Sequence, residues 1–463
     1  MDIVGVLVAL GVLVALAYRG WSILLLAPFC AMLAALLAGE PLLANWTQTF
    51  MRNAADFVAQ FFPIFLLGAL FGKLMEASGS VEAIAATMTE RLGAERAILA
   101  VVLAGAFVTY GGVSLFVAFF VLAPMGHALF RAADVPHRLM PAAIALGTST
   151  FTMSAMPGTP AIQNAIPMPF FGTNPFAAPR RKAKRAGETY LYAGGSAADA
   201  VAGDDTLRER GAVAHDFDPG EIERGGHTLA RPRSMIAALP LLVVVMTNLV
   251  MSFAILPHVD ASFLAEPGWG ATSLSTVAGV WSVIVALSAG IVTLLLFNSR
   301  KLAGLRSLMD AGATAAVLPM LSVASLVGFG AVVAALPAFE QVKNWVLGIE
   351  GGPLVSLAVA TNILAALTGS ASGGLTIALD ALGPTYMQIA HQTGLNPELM
   401  HRVAVIGAGT LDSLPHNGAV VTLLAVCGVS HKDGYVDLAM AAIASALVAL
   451  VAVITIGNLF GSF

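Results

Sequence analysis

The sequence predicts an all-α, polytopic membrane protein made of two repeat halves, and three observations support this prediction. The chain of 463 residues is 58% hydrophobic and only 11% charged, whereas a soluble domain carries roughly 25% charged residues. Long stretches of the sequence contain no Asp, Glu, Lys or Arg. Glycine-rich landmarks in the first half of the chain also recur in the same order in the second half.

The uncharged stretches define the membrane segments, because a spanning helix needs roughly 20 mostly apolar residues. Some of these stretches are too long for a single span, so we expect about 10–12 membrane segments in total. The first stretch lacks the basic region of a cleavable signal peptide, and we expect it to remain as a membrane helix. The stretches are Ile3–Tyr18, Gly20–Gly39, Phe57–Gly72, Ala97–Phe130, Leu139–Pro179, Ser234–Pro257, Pro267–Ser299, Ala311–Phe339, Gly351–Leu379 and Leu438–Phe463.

Composition and motifs argue against several functional classes. The net charge is −4, which gives no indication of nucleic-acid binding. Cys30 and Cys427 lie in apolar runs far apart in sequence, so neither a disulfide framework nor a Cys metal site is expected. Zinc-protease, nucleophile-elbow and phosphate-loop signatures are missing from the sequence. We therefore predict no enzyme activity, no cofactor and no transport driven by ATP through this chain alone.

A charged insert divides the chain into a first transmembrane half, 1–179, a linker, 180–233, and a second transmembrane half, 234–463. The insert begins with a basic cluster, Arg180-Arg181-Lys182-Ala183-Lys184-Arg185. Lys and Arg concentrate in cytoplasmic loops, so the linker is predicted to be cytoplasmic. Its mixed charge and few large apolar residues favour little fixed structure.

The internal repeat rests on three ordered landmarks. The pairs Gly111-Gly112 and Gly373-Gly374 are 262 residues apart, and so are Gly147-Thr148 and Gly409-Thr410. The pairs His137-Arg138 and His401-Arg402 lie between them, 264 residues apart. A Pro- and Gly-containing break follows the last landmark in each half. Corresponding interrupted segments in two halves of a transporter point to its binding site.

The first break is rich in hydroxyl groups and carries no charge. A broken helix frees backbone N–H groups at the start of its second part, and these groups attract an anion that hydroxyls can also bind. Alternatively, the hydroxyls only satisfy the broken helix or let helices pack closely. The candidate binding residues here are Thr148, Ser149, Thr150, Thr152, Pro157, Gly158 and Thr159.

The second break contains Asp412, the only Asp, Glu, Lys or Arg between Arg402 and Lys432. A lone carboxylate in a membrane segment is a functional candidate, because its burial is expensive. It could take up a proton or ligate Na⁺, and His416 could titrate with it near neutral pH. The alternatives are a helix N-cap for Asp412 and a packing residue for His416. Further candidate binding residues are Thr410, Ser413, Asn417 and Gly418.

Two hairpin-like segments contribute small residues near the breaks. Small residues allow a ligand or a neighbouring helix to approach the backbone, and close helix packing alone could explain them. The candidates are Gly111, Gly112 and Ser114 in the first half, and Ser370, Ser372, Gly373 and Gly374 in the second.

Two segments resemble the gluconate:proton symporter family of bacterial permeases. They are Thr150–Asn164, with its Met-Pro-Gly-Thr-Pro core, and Leu411–Leu424, with its more specific Leu-Pro-His-Asn-Gly block. The family belongs to a broad superfamily of ion-coupled organic-anion carriers. The resemblance implies inverted repeats, each with a re-entrant hairpin and a broken helix, and a homodimer. Its matching positions are the break residues named above, together with Pro415.

Together these observations predict a secondary active transporter in the bacterial inner membrane. The resemblance implies that it carries gluconate or another short hydroxy or keto monocarboxylate with protons. In this hypothesis the substrate carboxylate lies between the half-helix N-termini, and Asp412, with His416, takes up the coupling proton. A sodium-coupled carboxylate transporter is the main alternative. A channel or a membrane enzyme is a more distant one.

Overall fold

The structure, a computed structural model, describes most of both predicted halves. The described residues are 2–17, 21–111, 113, 115–177, 232–269, 271–298, 302, 304–337, 341, 344–345, 348–368, 371–415 and 417–460. Within these ranges all regular secondary structure is helical and no strand occurs. The all-α class predicted from the sequence is therefore confirmed.

Twenty α-helices can be numbered along the described chain. In the first half they are α1 Asp2–Ala17, α2 Ile23–Ala38, α3 Leu42–Ala44, α4 Met51–Ala77, α5 Ser80–Leu92, α6 Ala97–Tyr110, α7 Leu115–Ala132, α8 Met140–Ala145, α9 Ile162–Ala165 and α10 Pro167–Phe171. In the second half they are α11 Ser234–Val250, α12 Leu274–Asn298, α13 Leu305–Ala315, α14 Val317–Ala335, α15 Pro353–Thr368, α16 Ala371–Thr393, α17 Pro397–Leu411, α18 Gly418–Val426, α19 His431–Ala439 and α20 Ser445–Phe460. Short π-helical segments are Asn45–Phe50, Leu146–Ala155, Met251–Ile255 and Met440–Ala444, and 3₁₀ turns are Ala94–Arg96, His137–Leu139, Leu256–His258, Ser262–Ala265 and Pro267–Trp269.

Nine apolar helices in the described ranges fall on the predicted membrane stretches. Five are long and apolar enough to cross a membrane by length and composition: Leu42–Ala77, Ser234–His258, Thr276–Asn298, Leu305–Ala335 and His431–Leu459. Four shorter ones are Val4–Leu13, Leu24–Ala38, Ala97–Tyr110 and Pro353–Ala366. The total of about 10–12 membrane segments stays a prediction.

Large apolar side chains cover much of the outer surface. Leu296 is 72% exposed and Val448 is 67% exposed. In water such an exposed apolar surface would be costly, whereas lipid tails solvate it. The exposed apolar faces therefore fit a bilayer as the surrounding solvent.

Helices of the two predicted halves pack against each other. Helix α4 contacts α12, α13 and α14, and α5 contacts α11. The largest cluster of buried apolar side chains includes residues from Ala54 to Ala442. The halves therefore share this cluster, and residues of their two breaks lie in the same region of the protein.

Each half also contains a pair of helices that follow one another closely in sequence, α6–α7 and α15–α16. Helix α6 ends at Tyr110 and α7 begins at Leu115, whereas α15 ends at Thr368 and α16 begins at Ala371. A Cβ built on Gly374 would overlap the backbone nitrogen and Cα of Ala365 in the partner helix. Gly374, a predicted binding residue, therefore allows α15 and α16 to approach closely.

Replacing Gly374 with alanine should force these two helices apart. We expect Gly374→Ala to lower the free energy of unfolding by about 1–3 kcal/mol, because the overlapping atoms belong to the backbone and have little freedom to move. Thermal melting in detergent measures this change. Gly11→Ala is the control, since a Cβ there meets nothing within 4 Å and alanine favours the helix. Equal melting temperatures for the two variants would contradict the packing role.

Candidate functional site

A cavity of about 200 Å³ lies where elements of both halves meet. A second cavity of about 40 Å³ adjoins it and shares several of its lining residues. The shared residues are Leu115, Gln163, Ala371, Asp412, Asn417 and Ala419. Of the other predicted binding residues, Ser372 lines the larger cavity, and Ser149 and Ser413 line the smaller one. The structure therefore brings residues of both breaks and of the start of α16 to one place.

Three helices begin at these cavities. Leu115 is the first residue of α7, which has 18 residues, and Ala371 is the first of α16, which has 23. Ala419 lies in the first turn of α18, which has 9 residues. The N-terminal end of a helix carries partial positive charge and unpaired N–H groups. Three such ends around one cavity favour an anionic ligand there.

Asp412 lies at the C-terminal end of a helix. It follows Leu411, the last residue of α17, and its Oδ1 accepts a hydrogen bond of 3.2 Å from the Ser413 hydroxyl. A helix C-terminus carries partial negative charge and therefore favours a cation beside it. A proton or a metal cation at Asp412 would be stabilised by this position.

Asn417, not Asp412, caps the helix that follows the second break. Its Oδ1 accepts a hydrogen bond of 2.7 Å from the backbone N–H of Ala419, the arrangement of an N-cap residue before Gly418. The N-cap role that the sequence left open for Asp412 therefore falls to Asn417. The Asp412 carboxylate remains at the cavity.

The buried threonine hydroxyls of the two breaks face their own helices. Thr148 donates to the Ile144 carbonyl at 2.8 Å, Thr150 to Leu146 at 2.7 Å, and Thr410 to Ile406 at 2.7 Å. Each of these bonds joins a residue to the carbonyl four positions earlier, a common arrangement for Ser and Thr within helices. These three hydroxyls stay binding candidates, but the hydrogen bonds they make to their own helices are those of the packing alternative.

The other residues of the first break shape its backbone. Thr152 lies in the π-helical segment that ends at Ala155. The buried Thr159 hydroxyl accepts a hydrogen bond of 3.3 Å from the N–H of Ala161. Gly158 has a φ of +92°, and a Cβ there would overlap the ring of Phe176. Only glycine fits this position without strain.

Hydrogen bonds from other elements hold the first break. Tyr110, the last residue of α6, donates from its hydroxyl to the Pro157 carbonyl at 2.8 Å. The Gly158 N–H donates to the Pro175 carbonyl at 2.7 Å, and Asn248 in α11 donates to the Gly158 carbonyl at 3.1 Å. The break is therefore a defined structure, and its Pro157 and Gly158 carbonyl groups are satisfied by neighbouring elements.

The second break is held by the short helix α19. His431 Nε2 lies 3.0 Å from the Pro415 carbonyl. The Tyr435 hydroxyl donates to the Ser413 carbonyl at 3.3 Å. One proline of each break, Pro157 in the first and Pro415 in the second, thus has its carbonyl oxygen contacted by a ring side chain of another element.

Comparisons with known proteins identify the family. A model of the GntP family permeases matches residues 1–168. Over its full length, the chain is 40% identical to the uncharacterized transporter YxjC of Bacillus subtilis (strain 168), in an alignment of 490 residues that covers 100% of both proteins. The chain belongs to the GntP permease family. The family predicted from the sequence is confirmed, and the first break lies within the residues that the family model matches.

A solved structure shows a similar fold. The crystal structure of the Alcanivorax borkumensis YdaH transporter, which is described as having an unusual topology, aligns with a TM-score of 0.50. The alignment covers 91% of this permease and 89% of that chain, at 16% sequence identity. Family and fold together make this protein a multi-pass membrane permease.

Sequence reasoning missed a buried polar network beside the first break of the permease. Arg402, in α17, is 3% exposed and donates through Nε and Nη2 to the Ala177 carbonyl, at 3.1 and 2.6 Å. Its Nη2 also donates to Asn164 Oδ1 at 3.2 Å. The neighbouring His401 places Nδ1 2.6 Å from the Thr173 hydroxyl and Nε2 3.2 Å from the same Asn164 oxygen.

Asn164 is the centre of this network. Its amide nitrogen donates to the Thr159 carbonyl at 2.9 Å and to the Pro175 carbonyl at 2.8 Å. The network therefore ties α17, the helix that ends at Leu411 just before Asp412, to the segment after the first break. One signal could have revealed it: a charged residue such as Arg402 within an apolar helix is a functional candidate by default.

Several predicted residues lie outside the described ranges of the permease. They are Gly112, Ser114, Ser370, His416 and residues 180–231 of the predicted linker. Gly111 and Gly373 are described, and both belong to the tightly packed ends of the helix pairs. A Cβ on Gly111 would overlap the side chain of Leu241.

Proposed function

We propose that this permease is a proton-coupled secondary transporter of a small organic anion across the bacterial inner membrane. The proposed cargo is gluconate or another short hydroxy or keto monocarboxylate. One observation carries the proposal: a single cavity combines the N-terminal ends of α7, α16 and α18 with the carboxyl group of Asp412. The first feature suits an anion and the second suits a proton.

The substrate carboxylate would occupy the positive helix ends. The neutral hydroxyls of Ser149, Ser372 and Ser413 line the same cavities and can donate to its oxygens. A site of N–H groups and hydroxyls binds an anion without a buried Lys or Arg, so its affinity stays moderate enough for release. A transporter needs such reversible binding on both sides of the membrane.

Proton coupling would follow from the position of Asp412. When the carboxyl group is protonated, the cavity holds no negative charge of its own and admits an anion. When it is ionised, it repels the substrate across a short distance in a poorly solvated site. Loading of proton and anion would therefore be linked, and the loaded site would alternate between the two sides.

The architecture of the proposed transporter follows the repeat. The helix pairs α6–α7 and α15–α16 would be re-entrant hairpins, and the two halves would be inverted repeats. The order of elements supports this, because each pair is followed by a helix that ends at a break carrying polar cavity residues. The family resemblance also supports a homodimer.

Uptake into proteoliposomes tests the proposal. Labelled gluconate is offered with an imposed pH gradient, with or without Na⁺, and with a panel of unlabelled hydroxy and keto acids as competitors. We expect uptake that requires the pH gradient and is independent of Na⁺. Failure of gluconate and of every competitor to enter or compete under either gradient would overturn the substrate assignment.

Sodium coupling is the second candidate, and one observation favours it. Asp412 lies directly after the last turn of α17, where helix carbonyls lack intrahelical donors. A carboxylate with helix-end carbonyls can coordinate Na⁺ in transporters. Uptake that requires a Na⁺ gradient and ignores the pH gradient would replace the proton with Na⁺ at the same residue.

A further inference from the structure

Gln163, whose side chain carries a buried acceptor, lies beside both cavities. It is one of the residues that line both of them. Within the described part of the chain, its side-chain oxygen Oε1 is enclosed and has no hydrogen-bond partner. A buried acceptor without a partner is unfavourable and is rarely retained without a reason. Beside a ligand cavity, the natural reason is a donor supplied by the ligand.

The other amide and carboxylate groups nearby already accept hydrogen bonds. Asn417 Oδ1 accepts from the Ala419 N–H at 2.7 Å, and Asp412 Oδ1 accepts from Ser413 at 3.2 Å. Gln163 differs from both, because its oxygen is unpartnered within the described ranges. An acceptor oxygen repels a carboxylate and a ketone but binds a hydroxyl.

The backbone that carries Gln163 is fixed on both sides. The adjacent Asn164 anchors the polar network, and its N–H donates to the Ala161 carbonyl at 3.0 Å. Gln163 itself lies in the short helix α9, which begins at Ile162. The backbone at Gln163 is thus held in place before a ligand arrives, and such preorganisation favours discrimination between ligands.

We propose that Gln163 determines substrate specificity by accepting a hydrogen bond from a hydroxyl group of the transported acid. The permease would then prefer a hydroxy acid to the keto acid of the same carbon skeleton. This inference rests on the proposed function and narrows its substrate class. The keto acid lacks the donor and sets its own oxygen against Oε1, so one hydrogen bond is lost and one repulsion is gained.

Matched pairs of acids test the inference. Gluconate with 2-ketogluconate and lactate with pyruvate differ only at the carbon next to the carboxylate. Each acid competes against labelled gluconate in counterflow, which reports binding without a driving gradient. We expect the hydroxy member of each pair that competes to do so about 10- to 100-fold better, the range that one buried hydrogen bond gives.

Variants then assign the preference to one residue. Gln163→Met keeps the side-chain length but removes the acceptor, and it should bring the two members of a pair within about threefold of each other. If the methionine variant does not fold, Gln163→Asn serves instead. It moves the same amide group back by one methylene and should weaken the preference. Gln48→Met is the matched control, since Gln48 is exposed on the π-helical turn before α4.

The outcomes separate this inference from the proposed function. If the unmodified permease carries no acid at all, the proposed function fails and the inference fails with it. If it carries acids but treats the paired members alike, or keeps its preference in Gln163→Met, only the role of Gln163 is overturned. A preference for the keto acid would also overturn it, because Gln163 would then be presenting its NH₂ group.

Discussion

Asp412→Asn is expected to abolish accumulation of substrate driven by a pH gradient, to the level of empty vesicles. The amide has nearly the same shape as the carboxyl group, so the cavity should keep its form and the exchange of labelled for unlabelled substrate should persist. The amide cannot bind and release a proton, and coupling should therefore be lost. Parallel measurements of gradient-driven uptake and of counterflow in the same vesicles test this expectation.

Asp310→Asn is the control for that experiment. Asp310 lies on the exposed face of α13, so its loss should leave uptake unchanged. Full gradient-driven uptake by Asp412→Asn, with an unchanged dependence on pH, would show that Asp412 does not carry the proton. If the unmodified permease is driven by Na⁺, loss of the Na⁺ requirement in this variant would instead assign Asp412 to the cation site.

Asn164→Leu is expected to destabilise the folded permease more than Gly374→Ala does. Leucine has a similar volume but cannot donate to the carbonyls of Thr159 and Pro175 or accept from His401 and Arg402. Each buried polar group left without a partner costs about 1–3 kcal/mol. We expect a total loss above about 3 kcal/mol, hence a melting temperature at least about 5 °C lower.

Asn53→Leu provides the matched comparison. The Asn53 amide donates one hydrogen bond, of 2.8 Å, to the Thr49 carbonyl in the preceding turn, and its side chain is only half-buried. Its replacement should move the melting temperature by less than about 2 °C, because a partly solvated amide loses little when its partner is removed. Thermal melting followed by size-exclusion chromatography in detergent measures both variants. An unchanged melting temperature for Asn164→Leu would mean that the network contributes little to stability.

Local signals in the sequence predicted the class of fold and marked segments whose residues line the cavities. Apolar runs marked the helices, since a lipid-exposed helix needs a continuous apolar stretch. The Pro-Gly breaks and the isolated Asp412 marked the two segments that meet at the cavity. These features depend only on residues close together in sequence, so no knowledge of the packing was needed.

The division of roles within each break could not be predicted. Asp412 and Asn417 are five positions apart, and either could cap a helix that restarts near Pro415. Only the position at which α18 begins shows that Asn417 is the cap. Likewise, the sequence cannot separate Thr148, which turns to its own helix, from Ser149, which lines a cavity.

Contacts between distant segments account for most of what the sequence did not reveal. Arg402 and Ala177 are 225 residues apart, and His401 and Asn164 are 237 apart. His401-Arg402 was visible only as a landmark of the repeat, because nothing in its neighbourhood indicates a partner. The significance of Gln163 has the same origin, since residues of the second half line the cavities beside its side chain.

The length of chain between the partners of the polar network has a consequence for the synthesis of the protein. The partner His401 is made 237 residues after Asn164, which takes roughly 10–50 s at about 5–20 residues per second. Until then, the first half contains carbonyl and amide groups whose final partners do not yet exist. Water, lipid headgroups or the insertion machinery must satisfy them meanwhile. The segment after the first break therefore leaves the ribosome early but reaches its final hydrogen bonding only after α17 has been added.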